Sequence, residues 1–226
     1  MPTGINCLHR GGEWLERLLV AARFFVPWAA LWFGSMILSS LWPWRICLAL
    51  PGESGFPYLP WLVPWYLSLD LMVPLVTLLA PDLDTLRRVY RAMLVQTGVA
   101  ALVYTVLPQR LGFIGHESGG VWENLAQNTG SANLGWHADA PSLHVAFAFT
   151  MAHLLIPRLC TNESWWLLAA GWIWAVGVMV STVFVHEHHL ADVASGLVLA
   201  WWTCRWAGRL NAQVPKPVNE TSWNRK

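Results

Sequence analysis

The chain has 226 residues, 55% hydrophobic and only 12% charged, with a formal net charge of +1 and a mean hydropathy of +0.41. Soluble domains carry about 25% charged residues, so this composition excludes an ordinary soluble domain and points to a polytopic membrane protein. The near-neutral balance gives no basis for a nucleic-acid partner. The four cysteines Cys7, Cys47, Cys160 and Cys204 lie far apart without CxxC spacing, so neither a disulfide framework nor a thiolate zinc site follows.

Roughly six apolar segments are long enough to cross a ~30 Å hydrocarbon core at ~1.5 Å per residue. In chain order they fall near Val20–Trp42, Pro60–Ala80, Val89–Leu107, Pro141–Leu159, Trp165–Val185 and Leu190–Trp206. The expected fold is therefore all-α, a bundle of about six transmembrane helices. Many of the 17 tryptophans flank these runs, where amphipathic rings suit the headgroup zone. Trp165-Trp166 and Trp201-Trp202 read as such belt residues. The first run is long and lacks a small-residue cleavage site, so it reads as a retained anchor. Residues 1–213 read as a single membrane domain, without an internal repeat, and 214–226 as a polar cytoplasmic tail expected to be disordered.

In a six-span arrangement Arg10, Arg17, Arg87, Arg88, Arg91, Arg158, Arg205, Arg209, Lys216, Arg225 and Lys226 share one side. Only Arg45 and Arg110 fall on the other, and Arg23 lies about a turn inside the first span, close enough to snorkel to the crowded side. The positive-inside rule makes the crowded side cytoplasmic, and with it both termini. The long connection Pro108–Ala140 then faces the opposite, periplasmic or lumenal, side. It is rich in Gly, Asn and His, and a connection of this length is usually functional or disordered. Val121–Gln127 within it has the composition of a short interfacial helix carrying Trp122.

Two polar motifs sit where apolar runs meet water, on that same outer side. In Pro141-Ser142-Leu143-His144, proline and a good N-cap precede a helical run. The first N–H groups of such a helix have no internal partner and carry the positive dipole end, which suits a phosphate. His144 lies in that first turn. A plain Ser-capped span with a chance histidine would read the same way. The second motif runs from Ser181 through His186-Glu187-His188-His189 to Asp192. His188 and Asp192 are spaced i,i+4 on one helix face. The carboxylate there can hold one ring nitrogen and leave the other as a nucleophile. A polar cluster that merely anchors the span is the plainer alternative. A metal site is another, because four potential ligands crowd together, but Leu190 stands where the helical HExxH pattern needs its second histidine. Asp70, between Pro64 and Pro74, falls in mid-span. A carboxylate there is a functional candidate by default, although a hydrogen-bond partner holding helices together is the plainer reading. His116 and His137 read as solvated loop histidines, His9 and His153 as structural ones.

Together the motifs resemble the type 2 phosphatidic acid phosphatase (PAP2) superfamily of membrane lipid phosphatases and phosphotransferases. That family's PSGH motif reads Pro141-Ser142-Leu143-His144 here, and its SRxxxxxHxxxD motif is matched at Ser181, His188 and Asp192, with Thr182 in the arginine's place. The family's KxxxxxxRP motif is not present in that form; the nearest stretch is Tyr104-Thr-Val-Leu-Pro108-Gln-Arg110. The PSLHVA form and the His188-His189 pair look closest to the inositol phosphorylceramide synthase-like branch. The resemblance covers roughly Tyr104 to Gly196. It implies that His188 attacks phosphorus to form a phosphohistidine, that Asp192 orients it, and that His144 protonates the leaving oxygen. Arg110, Ser142, Leu143 and Ser181 would hold the phosphate oxygens. No metal and no cofactor would be needed. The implied partners are membrane lipids and a lipid phosphate or lipid pyrophosphate substrate. The expected setting is a bacterial inner membrane with the site facing the periplasm. Hydrolysis is the favoured outcome, and transfer to an alcohol acceptor the alternative. From a different class, a small transporter fits six spans and Asp70, but it predicts internal repeats.

Overall fold

A computed structural model describes residues 7–113, 120–122, 124, 140–160 and 165–212, excluding the side chains of 7–12, 208 and 210–212. Among these residues the protein is all-helical: α1 (Cys7–Ser40), α2 (Val63–Leu79), α3 (Leu83–Val106), α4 (Leu143–Leu159), α5 (Trp165–Phe184) and α6 (Leu190–Ala212). Four stretches, Glu13–Ser40, Pro60–Leu79, Leu83–Val106 and Trp165–Phe184, have the length and composition to cross a membrane, and Leu143–Leu159 is a shorter apolar helix. Large apolar side chains line the outside, among them Leu18, Val26, Leu71, Leu102, Ile173 and Val198. A surface of this kind is expected where the surrounding medium is lipid. The protein is an all-α polytopic membrane protein.

The helices match the six apolar segments in order, but the termini differ where charge conceals a helix from a hydropathy reading. Helix α3 begins at Leu83, six residues before the apolar run, because Asp82 caps it: Thr85 donates its N–H to Oδ1 at 2.6 Å and its hydroxyl to Oδ2 at 3.0 Å. Asp84, Arg87 and Arg88 extend the helix beyond the apolar stretch. At the same end of the bundle the buried Arg17 donates to the carbonyls of Thr77 (3.0 Å) and Ala80 (2.9 Å), which serves the last turn of α2.

Helix α4 is the central element and packs on α2, α3, α5 and α6. It is apolar on most faces and rich in alanine, which permits close approach on several sides. Val145, Ala146, Ala148, Met151 and Ala152 are fully buried. A π turn over Met151–Leu155 precedes Pro157, whose missing N–H cannot bond the carbonyl one turn back. Buried polar groups tie the neighbouring helices together. Gln96 of α3 donates to Thr150 Oγ1 at 2.7 Å and Thr203 Oγ1 at 2.6 Å, joining α3, α4 and α6.

The connections at the opposite end from Arg17 are stitched into one layer. Ile46 and Gln109 form an isolated parallel bridge, Gln109 pairs with both backbone groups of Ala140, and Tyr104 Oη donates to Pro141 O at 2.6 Å. The segment after α1, the segment after α3 and the start of α4 are thereby held together. Of the proposed Val121–Gln127 helix, Val121, Trp122 and Asn124 are helical, and the Asn124 N–H reaches Gly120 O at 3.0 Å. Its remainder, His116, His137 and the 214–226 tail lie outside the described residues.

Candidate active site

The site forms where α5 ends and α6 begins. The chain leaves α5 through a left-handed residue: the His186 N–H bonds Val183 O, the Glu187 N–H bonds Thr182 O, both at 3.1 Å, and His186 has φ 60. This is the Schellman pattern, usually closed by glycine. A side chain in that conformation costs about 1 kcal/mol. Contacts of the His186 ring offset this, because Nε2 meets Phe56 O at 3.1 Å and Phe113 stacks on it at 4.1 Å. The turn carries the chain into His188, whose N–H also bonds Thr182 O at 3.0 Å. Thr182, which stands in the family arginine's place, thus contributes through its carbonyl.

His188 is buried, and its Nδ1 lies 3.7 Å from Asp192 Oδ2. Asp192 is fully buried and fixed, since Oδ2 accepts the His189 N–H at 2.7 Å while its carbonyl accepts the Ser142 N–H at 3.1 Å. The first turns of α4 and α6 therefore abut. Gly196 makes that approach possible, because a Cβ there would stand 2.6 Å from Ser142 O. Ser142 caps α4, with Oγ accepting from Val145 N at 3.4 Å. Its own N–H is engaged, as is that of Val145, which leaves the N–H groups of Leu143 and His144 as the first-turn donors without an intrahelical partner. Ser181 is buried within α5 and donates its hydroxyl to Val178 O at 2.7 Å. Arg110 is exposed beside the Ile46–Gln109 bridge, and its N–H bonds Ile46 O at 2.9 Å.

The His144 ring centroid lies 5.8 Å from that of His188, so the structure brings the two motif histidines into one site. Tyr66 of α2 stacks on His144 at 4.2 Å with an 18° interplanar angle, and Asp70 Oδ1 stands 3.9 Å from His144 Nε2. Asp70, read either as a functional group or as a hydrogen-bond partner holding helices together, thus lies beside His144 of α4. Asp70 makes no hydrogen bond among the described residues, and its carboxylate faces His144. His188, Asp192, His144, Ser142 and Leu143 are brought together, whereas Arg110 is exposed beside the Ile46–Gln109 bridge and Ser181 lies inside α5.

Neither sequence motif contains Glu53. This residue is buried, its Oε2 is 2.7 Å from His189 Nδ1, and its Oε1 accepts the Leu190 N–H at 2.9 Å. Gly112 donates its N–H to His189 Nε2 at 2.9 Å, so the His189 proton sits on Nδ1 and goes to Glu53. Both ring nitrogens of His189 are thus occupied. Glu53 also serves an orphan N–H at the start of α6. One signal was available: a lone carboxylate in Pro51-Gly52-Glu53-Ser54-Gly55, a tight-turn composition between two apolar runs, with Gly52 at φ 94. Burial pushes the neighbouring Glu187 carboxyl above its ordinary range, while His188 pulls the other way.

A family model for the PAP2 superfamily matches residues 90–214, more than half of the chain, a range that includes His144, His188 and Asp192. The protein belongs to the PAP2 superfamily, whose members are phosphatases and phosphotransferases. Comparisons with curated proteins and with solved structures returned no match.

Proposed function

We propose that the protein is a lipid phosphate phosphatase that works through a phosphohistidine on the non-cytoplasmic face. The observation that carries this reading is the buried His188, with Asp192 against Nδ1 and the His144 ring 5.8 Å away. Asp192 holds the proton on Nδ1, which leaves the Nε2 lone pair for phosphorus. The P–Nε2 bond forms as the bond to the lipid alcohol breaks, and His144 gives its proton to the departing oxygen. Water then loses a proton to His144 and attacks the phosphohistidine, which releases phosphate and restores both histidines. The 3.7 Å gap at Asp192 is wider than a hydrogen bond, and such contacts often tighten only when substrate is bound.

Phosphoryl transfer gains mainly from positioning and from stabilised charge. The N–H groups of Leu143 and His144 and the Arg110 guanidinium are the donors proposed for the phosphate. The distribution of cations supports a cytoplasmic end at Arg17 and Arg87 and a non-cytoplasmic site, in keeping with an inner-membrane enzyme facing the periplasm. An alcohol in place of water would give a transferase from the same intermediate, as the likeness to inositol phosphorylceramide synthases suggests. Purified protein in mixed micelles should release phosphate from phosphatidic acid in the presence of EDTA and stop with vanadate. Loss of activity with chelator and recovery with zinc would refute the metal-free reading. Accumulation of a phosphodiester with added inositol or glycerol, in place of free phosphate, would favour the transferase.

A further inference from the structure

Helix α2 supplies the carboxylate of a second histidine–carboxylate pair, and that carboxylate belongs to neither motif. Tyr66 and Asp70 are spaced i,i+4 and so share one face of α2. The Tyr66 ring lies almost parallel to the His144 imidazole at 4.2 Å and fixes its plane. One turn further, Asp70 Oδ1 stands 3.9 Å from His144 Nε2. That nitrogen is buried and has no hydrogen-bond partner among the described residues. The Asp70 side chain is 65% exposed and that of His144 20%, so the pair forms an open edge of the site, while His188 and Asp192 lie deeper at 6% and 0%. A carboxylate in the middle of a membrane helix is costly to retain without a cationic or proton-donating partner. His144 is the partner that the structure offers.

We propose that Asp70 is the positioning residue of His144, as Asp192 is of His188. This rests on the phosphatase reading, in which His144 is the general acid. The Asp70 carboxylate takes the Nε2–H of His144, so the imidazolium presents its Nδ1–H to the leaving oxygen. When that proton is transferred, the electron pair of the P–O bond stays with the alcohol oxygen. His144 is left neutral with Nε2–H on Asp70, and its bare Nδ1 is ready to take a proton from water. The other titratable groups near His144 are Tyr66 on α2, His188 in the turn before α6 and, beyond it, Asp192 on α6. Among these and Asp70, only the two carboxylates are anionic when ionised near neutral pH, and each faces its own histidine. The 3.9 Å separation exceeds a hydrogen bond and closes as the imidazolium forms.

The test compares two substrates in single-turnover experiments with excess enzyme, reading alcohol release. Phosphatidic acid has a poor leaving group that needs a proton, whereas p-nitrophenyl phosphate has a good one that does not. Asp70→Asn should slow the step at least tenfold on phosphatidic acid and less than about twofold on p-nitrophenyl phosphate, the pattern of a weakened general acid. Asp70→Asn in a His144→Asn background should cost nothing further. Asp70→Glu, whose extra methylene spans part of the gap, should recover most of the lost rate. Equal losses on both substrates, or full activity of Asp70→Asn on phosphatidic acid, would overturn the proposal. If wild-type protein turned over neither substrate, or His188→Ala remained active, the phosphatase reading would fall and this inference with it.

Discussion

Glu53 shows why single residues at this site escape a sequence reading. No motif contains it, and it is far in sequence from His189, yet one carboxylate satisfies both the His189 ring and the Leu190 N–H. Sequence spacing reveals partners close along the chain, such as His188 in the turn before α6 and Asp192 in its first turn, and is silent about partners that meet only after the chain folds back. Replacing Glu53 with Gln leaves one acceptor for two donors and turns an amide toward the other. Glu53→Gln should therefore cost about 2 kcal/mol of stability, measured by unfolding in detergent, and should lower activity by shifting the turn that holds His188. Unchanged stability and activity would count against that role. Glu187 gives a pH-dependent expectation. Its carboxyl is raised by burial, so ionisation opposes the fold. The stability it allows is full below the ordinary glutamate range and is lost as pH rises through the raised value. Glu187→Gln cannot ionise, and its melting temperature should match wild type in acid and exceed it increasingly toward neutral pH. A variant less stable than wild type at neutral pH would contradict this.

Helix existence and order were legible because long apolar runs with few charges leave little alternative in a membrane. The helix ends were less legible: α3 starts six residues early behind its Asp82 cap, and α5 closes on a left-handed histidine where glycine would be the ordinary signal. The nearness of His188 to Asp192 was readable from their spacing, although His188 lies in the turn before α6 and not on a helix face shared with Asp192, and the Ser142 cap was readable too. The approach of α4 to α6 was not, since it depends on what Gly196 lacks. A Cβ at Gly196 would meet backbone, Ser142 O at 2.6 Å, and then Val145 Cβ at 3.2 Å, so the two first turns must part. Gly196→Ala should cost about 1–3 kcal/mol, and a displacement of this kind should lower kcat by roughly a hundredfold. Thermal unfolding and steady-state kinetics check both. Wild-type kcat in Gly196→Ala would show that the contact does not set the catalytic geometry.

On the scale of the whole molecule, the candidate site and the buried Arg17 lie at opposite ends. The turns bearing Glu53, Gly112, His144 and His188 gather at one end, and Arg17 with the Asp82 cap marks the other. In a cysteine-free background, a cysteine at Ser54 should label from outside intact cells and one at Asp84 should not. The reverse pattern would place the site in the cytoplasm. Both positions are exposed, so the readout depends on sidedness and not on burial. The central claim is that phosphorus passes through His188. Its most direct test is to quench the enzyme with alkali during turnover of phosphatidic acid labelled at phosphorus and to map the label. An acid-labile, base-stable phosphoryl group is expected on the peptide containing His188 and absent from His188→Ala, whose turnover falls at least about a hundredfold. A His188→Ala protein that keeps more than about a tenth of wild-type turnover, or that carries the label on another residue, would contradict it.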